Sequence, residues 1–274
     1  MAIFRTSRNP VRDISYADSV AAILMDRLGD VKRTDFEAAL WVGAGERAAI
    51  ARIKTIGDLA MRPFPVEGDI DYFPYAEASL DLIVVNGTLH TINDLPGVLV
   101  QMRRALKPDG LFLCALSGGE SLFELRESLM RVESQLSGGA GMRVHPVVDL
   151  QTFAGLMQRA GFALPVSDSE VRTIYYRQFK TLLRDIKAAG EGLALIDRPR
   201  PYPGRHFWPA VEADYKAHHM EADGLLRASF EVIYAIGWGP ADSQPKPLRP
   251  GSAKHSMAEA LGGIEGALPD KARP

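Results

Sequence analysis

The sequence predicts an α/β protein with a doubly wound, mostly parallel sheet, and three stretches predict it. The run Leu80–Val85 is continuously apolar and rich in Val and Ile, as a strand that is covered on both faces requires. From Asp94 to Leu106 apolar residues recur every three or four positions, which is typical of a helix packed on a sheet. Leu111–Leu116 is a second buried strand, and strand, helix and strand in this order form a right-handed βαβ unit.

The chain before this unit is predicted to hold one helix and two strands. Helical spacing of apolar residues predicts a helix over Ser15–Leu28, which Gly29 can end. The short apolar run Glu37–Val42 leads into Gly43, a pattern that favours a buried strand turning sharply into a helix. Thr55–Leu59 is predicted as a second short strand.

The chain after the βαβ unit is predicted to alternate helices with strands. Helical periodicity predicts three more helices, and runs of β-branched and aromatic residues predict two more strands. In order these are a helix with an apolar stripe from Leu122 to Leu136, a helix over Val148–Ala160, a strand within Phe162–Tyr176, a helix over Phe179–Ala189 and a strand over Ser229–Trp238. Three prolines in Arg198–Trp208 predict irregular backbone there.

Composition shifts divide the chain into three parts. Residues 1–34 form an N-terminal helical segment, and residues 35–239 form the main domain, with helical insertions at about 119–160 and 177–225. Residues 240–274 are a tail rich in Pro and Gly.

Charge and hydropathy exclude several classes of protein. A net charge of −2 is too balanced for a nucleic-acid binder. No apolar run approaches the roughly 20 residues of a membrane span, and Met1–Asn9 lacks the apolar core of a secretory signal. The single cysteine, Cys114, is predicted to be a small core residue, and a reducing cytoplasm is the expected compartment.

Glycines and carboxylates beyond the early strands are candidate ligand groups. Gly43 and Gly45 allow the backbone to approach a ligand at a helix N-terminus, although a purely structural turn is the alternative. An acidic residue beyond a strand end often holds a ribose in such folds. Asp58 and Asp69 are candidates for that role, and each is alternatively a solvated carboxylate.

Polar residues also follow the most apolar strand. Since ligands bind beyond the carboxyl ends of parallel strands, the segment from Asn86 through Leu89 is placed where a site would be. His90 is a candidate general base or substrate contact, and a hydrogen-bonded loop histidine is the alternative. Tyr175 and Tyr234 are candidates for a pocket wall, with core packing as the alternative.

Other chemistries are not supported by the motifs. The histidines His145, His206, His218 and His219 include no pair with the i, i+4 spacing of a helical zinc site, so no metal site is predicted. The sequence holds neither a Gly-x-Ser-x-Gly elbow nor a Walker A loop. Serine hydrolysis and P-loop chemistry are therefore improbable.

The βαβ unit also resembles a known family. The stretch Ser79–Leu116, with its Leu-Lys-Pro-Asp-Gly turn before the last strand, is similar to the core of class I S-adenosylmethionine-dependent methyltransferases. Leu89–Pro96, Gly118–Arg126 and Ile233–Trp238 resemble more narrowly the subgroup of the complex I assembly factor 5, with biotin-pathway methyltransferases next. The likeness extends from about Asp35 to Leu261.

The resemblance implies a Rossmann-like methyltransferase fold with inserted helices over the carboxyl ends of the strands. It implies S-adenosylmethionine as cofactor, and methyl transfer to, or hydroxylation of, a protein or small-molecule substrate. An NADH dehydrogenase subunit is the implied substrate of the mitochondrial member. The implied location is the bacterial cytoplasm, or the mitochondrial matrix in a eukaryote. The residues implied to bind the cofactor are Gly43, Gly45, Asp58, Asp69, Asn86 and Leu89, with His90, Tyr175 and Tyr234 on the substrate side.

Two positions depart from the family's glycine motif, Asp-x-Gly-x-Gly-x-Gly. Trp41 stands in place of the Asp, and Arg47 stands in place of the third Gly. An indole has no acceptor oxygen, and Arg adds bulk where backbone and cofactor approach closely. The alternative function is therefore a catalytically inactive pseudo-methyltransferase that acts as a binding or assembly factor.

Overall fold

The computed structural model describes residues 16–31, 36–43, 73–188, 192–193 and 203–245. Its elements, in chain order, are α1 (Tyr16–Gly29), β1 (Ala39–Gly43), β2 (Leu80–Asn86), a 3-10 turn (Leu89–Thr91), α2 (Leu95–Ala105), β3 (Leu106–Ser117), α3 (Phe123–Ser137), α4 (Leu150–Ala160), β4 (Ala163–Tyr176), α5 (Phe179–Ala188), α6 (Phe207–His219) and β5 (Leu226–Trp238). The chain divides into two units, Met1–Ala241 and Asp242–Pro274, and all these elements belong to the first. The strand expected at Thr55–Leu59 lies outside the described residues.

The five described strands form one sheet in the order β1-β2-β3-β5-β4. Strands β1, β2 and β3 are parallel, whereas β5 is antiparallel to both of its neighbours, so β4 points the same way as the first three strands. Every residue of β2 is buried, because this strand is central and covered on both faces. The prediction of a doubly wound, mostly parallel sheet is confirmed.

The strand expected over Leu111–Leu116 begins earlier, since β3 starts at Leu106. Residues 107–110, which were predicted to form a turn, are therefore part of this strand. The register with β2 slips there, and Asp109 adopts a positive φ of 57°. Gly239 completes the pairing, since its N–H donates to the carbonyl of Gly110 at 2.8 Å and its carbonyl accepts from the N–H of Asp109 at 3.1 Å. The turn residues therefore produce a bulge within β3.

Helices cover both faces of the sheet. Helix α1 packs on one face, where Leu24 lies in a core cluster with Trp41 and Tyr234. Helices α2 and α4 pack on the other face, where Leu99 and Phe153 are fully buried. No helix among the described residues is long and apolar enough to cross a membrane.

Helices α3, α5 and α6 form a second core with the first half of β5. Helix α6 corrects the expectation of irregular backbone up to Trp208, because it begins at Phe207. Pro209 is accommodated since it lies in the first turn, where a backbone N–H has no helical partner. Phe207, Val211 and Tyr215 are buried at intervals of four residues, a helical signal that the three upstream prolines obscured.

The contact between α3 and α6 is expected to weaken in acid through His219. Burial lowers the pKa of this imidazole below its ordinary value of 6.5, although Glu124 and Glu127 act in the opposite direction. Its Nε2 lies 3.4 Å from the guanidinium of Arg131, which can only donate, so the ring accepts there in its neutral form. The unfolded state therefore binds the proton more readily, and the free energy of unfolding decreases as pH falls through about 6.5.

Chemical denaturation between about pH 7.5 and pH 5.5 measures this effect. We expect His219→Gln to flatten the pH dependence, because the substituted amide does not titrate. The matched control is His218→Gln on the adjacent residue, whose side chain is 51% exposed. An equal change of slope in both variants would contradict the assignment to His219.

Candidate active site

Gly43 and Asn86 form the floor of the candidate site, at the carboxyl ends of β1 and β2. The two residues are paired in register. Gly43 has a φ of +100°, and a Cβ at this position would overlap the carbonyl oxygen of Asn86 and lie 2.8 Å from Oγ1 of Thr88. Only glycine fits here, so the backbone of β1 approaches the end of β2 as closely as a cofactor-binding turn requires.

Trp41 holds the end of β1 although it cannot supply a carboxylate. Its indole Nε1 donates a hydrogen bond to the carbonyl of Gly43 at 3.2 Å, and the ring is buried in the core beneath α1. The side chain thus holds the Gly43 carbonyl by donating a hydrogen bond, whereas the family's Asp would accept one. Gly45, Arg47, Asp58 and Asp69 lie outside the described residues.

His90 is held by the 3-10 turn that follows β2. The hydroxyl of Thr91 donates to the carbonyl of Thr88 at 2.8 Å, which closes the turn. Leu89 is fully buried beneath it, in the core cluster shared with α2. His90 is buried, with 7% of its surface exposed, and its position beyond the end of β2 agrees with the expected position of a site residue.

A second histidine, His145, lies beside His90. The two ring centroids are 6.1 Å apart and the rings are nearly perpendicular, at 89°. The carbonyl of Pro146 accepts from Nδ1 of His145 at 3.0 Å, so Nε2 is an acceptor in the neutral ring. A parallel bridge between Gly118 and Val148 fastens this loop to the end of β3. Sequence reasoning considered His145 only as a metal ligand and did not place it beside His90, because only the tertiary fold brings two residues 55 positions apart together.

The turn that follows β3 and begins at Gly118 is held by a buried carboxylate on β5, that of Glu231. Glu231 accepts a hydrogen bond from the N–H of Glu120 at 2.9 Å. A Cβ on Gly118 would lie 2.6 Å from that carboxylate, so glycine is required there. Ser121 adds two bonds, since its hydroxyl donates to the Glu231 carbonyl at 2.9 Å and accepts from the Glu231 N–H at 3.0 Å.

The structure separates the two tyrosines proposed for the substrate side. Tyr234 lies in the same register row as Gly43 and Asn86, through Ala115. Two strand spacings separate it from Asn86, which is about 10 Å. Its ring faces α1, beneath the Arg27 guanidinium at 4.3 Å, and burial raises the pKa of its hydroxyl to about 12. Tyr175 lies on β4 and is half-exposed. It pairs with Arg227, whereas the β4 residue in the row of Tyr234 is Asp168.

Two further observations bear on other chemistry. Cys114 is fully buried within β3, and burial raises the pKa of its thiol, so the prediction of a core residue is confirmed. Among the described residues, His, Cys, Asp and Glu form no group of three that could hold a metal ion.

Comparison with known proteins assigns the family. The chain matches a methyltransferase domain over residues 9–165, more than half of its length. It is 34% identical over 261 residues to the mitochondrial arginine-hydroxylase NDUFAF5 of Danio rerio, which covers 88% of this chain and 80% of the relative. The protein of the same name in Dictyostelium discoideum is 39% identical over 187 residues, which cover 68% of this chain and 43% of that relative.

A second kind of relative and one solved structure agree. Malonyl-acyl-carrier-protein O-methyltransferase of Laribacter hongkongensis is 33% identical over 192 residues, which cover 70% of this chain and 62% of the relative. The crystal structure of the YcgJ protein of Bacillus subtilis has a TM-score of 0.53 at 13% identity, covers 81% of this chain and 99% of its own, and so supports the fold. The chain belongs to the class I S-adenosylmethionine-dependent methyltransferase family, in the subgroup of NDUFAF5 and the malonyl-acyl-carrier-protein O-methyltransferases.

Proposed function

We propose that the chain binds S-adenosylmethionine at the carboxyl ends of β1 and β2 and transfers its methyl group to a protein or small-molecule substrate. The close approach of Gly43 to Asn86 carries this proposal, because it places a glycine that admits no side chain at the carboxyl ends of two adjacent parallel strands, where ligands bind in such sheets. This geometry supports a cofactor site at these strand ends. In the proposed site Gly45, Asp58, Asp69 and Leu89 contribute the remaining contacts.

The cofactor supplies an electrophilic methyl group, and the protein positions a nucleophile in line with it. His90 is the proposed acceptor of the proton that the nucleophile loses, since an imidazole can take up a proton near neutral pH. His145 supports one side of that ring, at a centroid distance of 6.1 Å. Tyr175, exposed near the carboxyl end of β4, is the proposed outer contact to substrate, whereas Tyr234 is fully buried against α1 and is not proposed for this role.

The relatives suggest where to look for a substrate. NDUFAF5 is named an arginine-hydroxylase and mitochondrial, so hydroxylation of an arginine is the second candidate activity. The resemblance to complex I assembly factor 5 makes an NADH dehydrogenase subunit the first protein to test. The proposed location is the mitochondrial matrix in a eukaryote and the cytoplasm in a bacterium.

Calorimetric titration with S-adenosylmethionine and S-adenosylhomocysteine tests the cofactor proposal. We expect micromolar binding to the wild-type chain and to His90→Gln, because His90 serves the substrate side. Product formation on the NADH dehydrogenase subunit, followed by mass spectrometry, should be lost in His90→Gln and retained in the matched control His206→Gln, on an exposed histidine.

Two outcomes would contradict the proposal. Failure of the folded chain to bind either ligand would overturn the cofactor site. Binding without any modified product would favour the alternative, a pseudo-methyltransferase that acts as a binding or assembly factor.

A further inference from the structure

A pocket of about 280 Å³ lies among the inserted helices. Leu125 and Leu129 of α3 form one wall, Leu183 and Ile186 of α5 form another, and Trp208 of α6 closes a third side. Leu125, Leu129 and Ile186 are buried in the second core. The pocket is therefore an apolar cleft between the helices α3, α5 and α6.

The charged side chains that line the pocket are both cations, Arg143 and Lys187. Arg143 is already neutralised, because its Nε donates to Glu133 at 3.0 Å and its guanidinium lies 4.7 Å over the ring of Phe207. Burial raises the pKa of Glu133, but hydrogen bonds from Arg143 and Gly141 outweigh it and hold that pKa below its ordinary value, so Glu133 is ionised at neutral pH.

Lys187 differs from Arg143 because it forms no ion pair within the part of the chain that the structure describes. Arg184, which lies 3.9 Å from the Asp185 carboxylate, and Lys180 lie about one and two turns before it on α5, and all three are exposed. Lys187 therefore places a positive charge beside the apolar interior of the pocket, with no ion-pair partner among the described residues.

We propose that this pocket binds a single-chain aliphatic carboxylate, with the hydrocarbon chain between α3, α5 and α6 and the carboxylate beside Lys187. A methylene group occupies about the volume of a water molecule, ~30 Å³, so the pocket holds about nine carbons. A medium-chain fatty acid fits both the volume and the charge. This site does not depend on the proposed cofactor site or on catalysis.

Calorimetry of the full chain with decanoate, decanol and decyltrimethylammonium, each below its micellar concentration, tests the charge selection. We expect decanoate to bind about tenfold more tightly than decyltrimethylammonium, which has the same chain and the opposite charge. Lys187→Glu should weaken decanoate binding about tenfold and leave decanol binding unchanged. Lys180→Glu, a matched change on the same helix outside the pocket, should change neither.

The shape of the pocket is tested by chain length. Leu129→Ala removes three carbons from the wall, so the preferred fatty acid should lengthen by about two to three carbons. Leu125→Trp should abolish binding of both decanoate and decanol, with folding checked by circular dichroism. If Leu125→Trp does not fold, Leu129→Ala still tests the proposal, because an unchanged preference for chain length would mean that the hydrocarbon chain does not lie in this pocket.

Non-specific adsorption of the decyl compounds to the protein surface predicts different results. Equal affinity for the anionic and cationic chains, or equal effects of Lys180→Glu and Lys187→Glu, would overturn the proposal. Sedimentation with phosphatidylglycerol and phosphatidylcholine vesicles separates a free fatty acid from a lipid headgroup as the source of the anion. Binding to phosphatidylglycerol vesicles without saturable binding of decanoate would also overturn it.

Discussion

Gly43→Ala is expected to lower the free energy of unfolding by about 3 kcal/mol or more and to abolish binding of S-adenosylmethionine. At a φ of +100° an L side chain is strained, and its Cβ would overlap the Asn86 carbonyl oxygen. Neither strand can retreat, because β1 and β2 are paired along the whole of β1. Any relief must therefore push the end of β1 out of the position in which it forms the floor of the proposed site.

Gly87→Ala is the matched control for this substitution. Gly87 also has a positive φ, +69°, and lies one residue beyond Asn86, but a Cβ there would have no atom within 4 Å. Its cost is backbone strain alone, about 1 kcal/mol. Urea denaturation gives the stabilities, and titration at a temperature where both variants are folded gives the affinities. Equal losses in the two variants would mean that the close approach to Asn86 is not what requires glycine at position 43.

The elements that were predicted correctly carry their signal within a few neighbouring residues. Strand β2 reads as one apolar run because both of its faces are buried. Helix α2 shows its apolar stripe and begins where Asp94 accepts a hydrogen bond from the N–H of Gly97 at 2.9 Å. Local periodicity and capping thus predicted the sheet and its helices, and with them the edge at which His90 and Asn86 lie.

The details of the site depend on contacts that no local pattern contains. His145 reaches His90 through a loop fastened to the end of β3. Gly118 is needed because of a carboxylate 113 positions later, on Glu231. Tyr234 lies in the same row of the sheet as Gly43 and Asn86, but its side chain points to the face covered by α1, and this depends on the register between β3 and β5.

Glu124→Ala is expected to destabilise the chain by about 3 kcal/mol, because it removes a buried acceptor that joins α3 to β5. Glu124 is fully buried. One carboxylate oxygen accepts from the N–H of Ser229 at 3.0 Å, and the other accepts from the Ser229 hydroxyl at 2.7 Å and from Nε of Arg227 at 3.2 Å. Arg227 is partly exposed, so its guanidinium can be solvated after the substitution. Most of the lost stability therefore comes from the N–H and the hydroxyl of Ser229, two buried donors that lose their acceptor.

Thermal and urea unfolding measure the stability of Glu124→Ala, and Glu127→Ala on the same helix is the matched control. The Glu127 side chain is 52% exposed and pairs with Arg131. That exposed pair should contribute no more than about 0.5 kcal/mol. Similar losses in the two variants would contradict a role for the buried carboxylate. Because Glu124 contacts neither β1 nor β2 among the described residues, we expect folded Glu124→Ala to bind S-adenosylmethionine as the wild type does. Gly43→Ala should lose both stability and binding, so the pair of variants separates what holds the insertion helices from what forms the cofactor site.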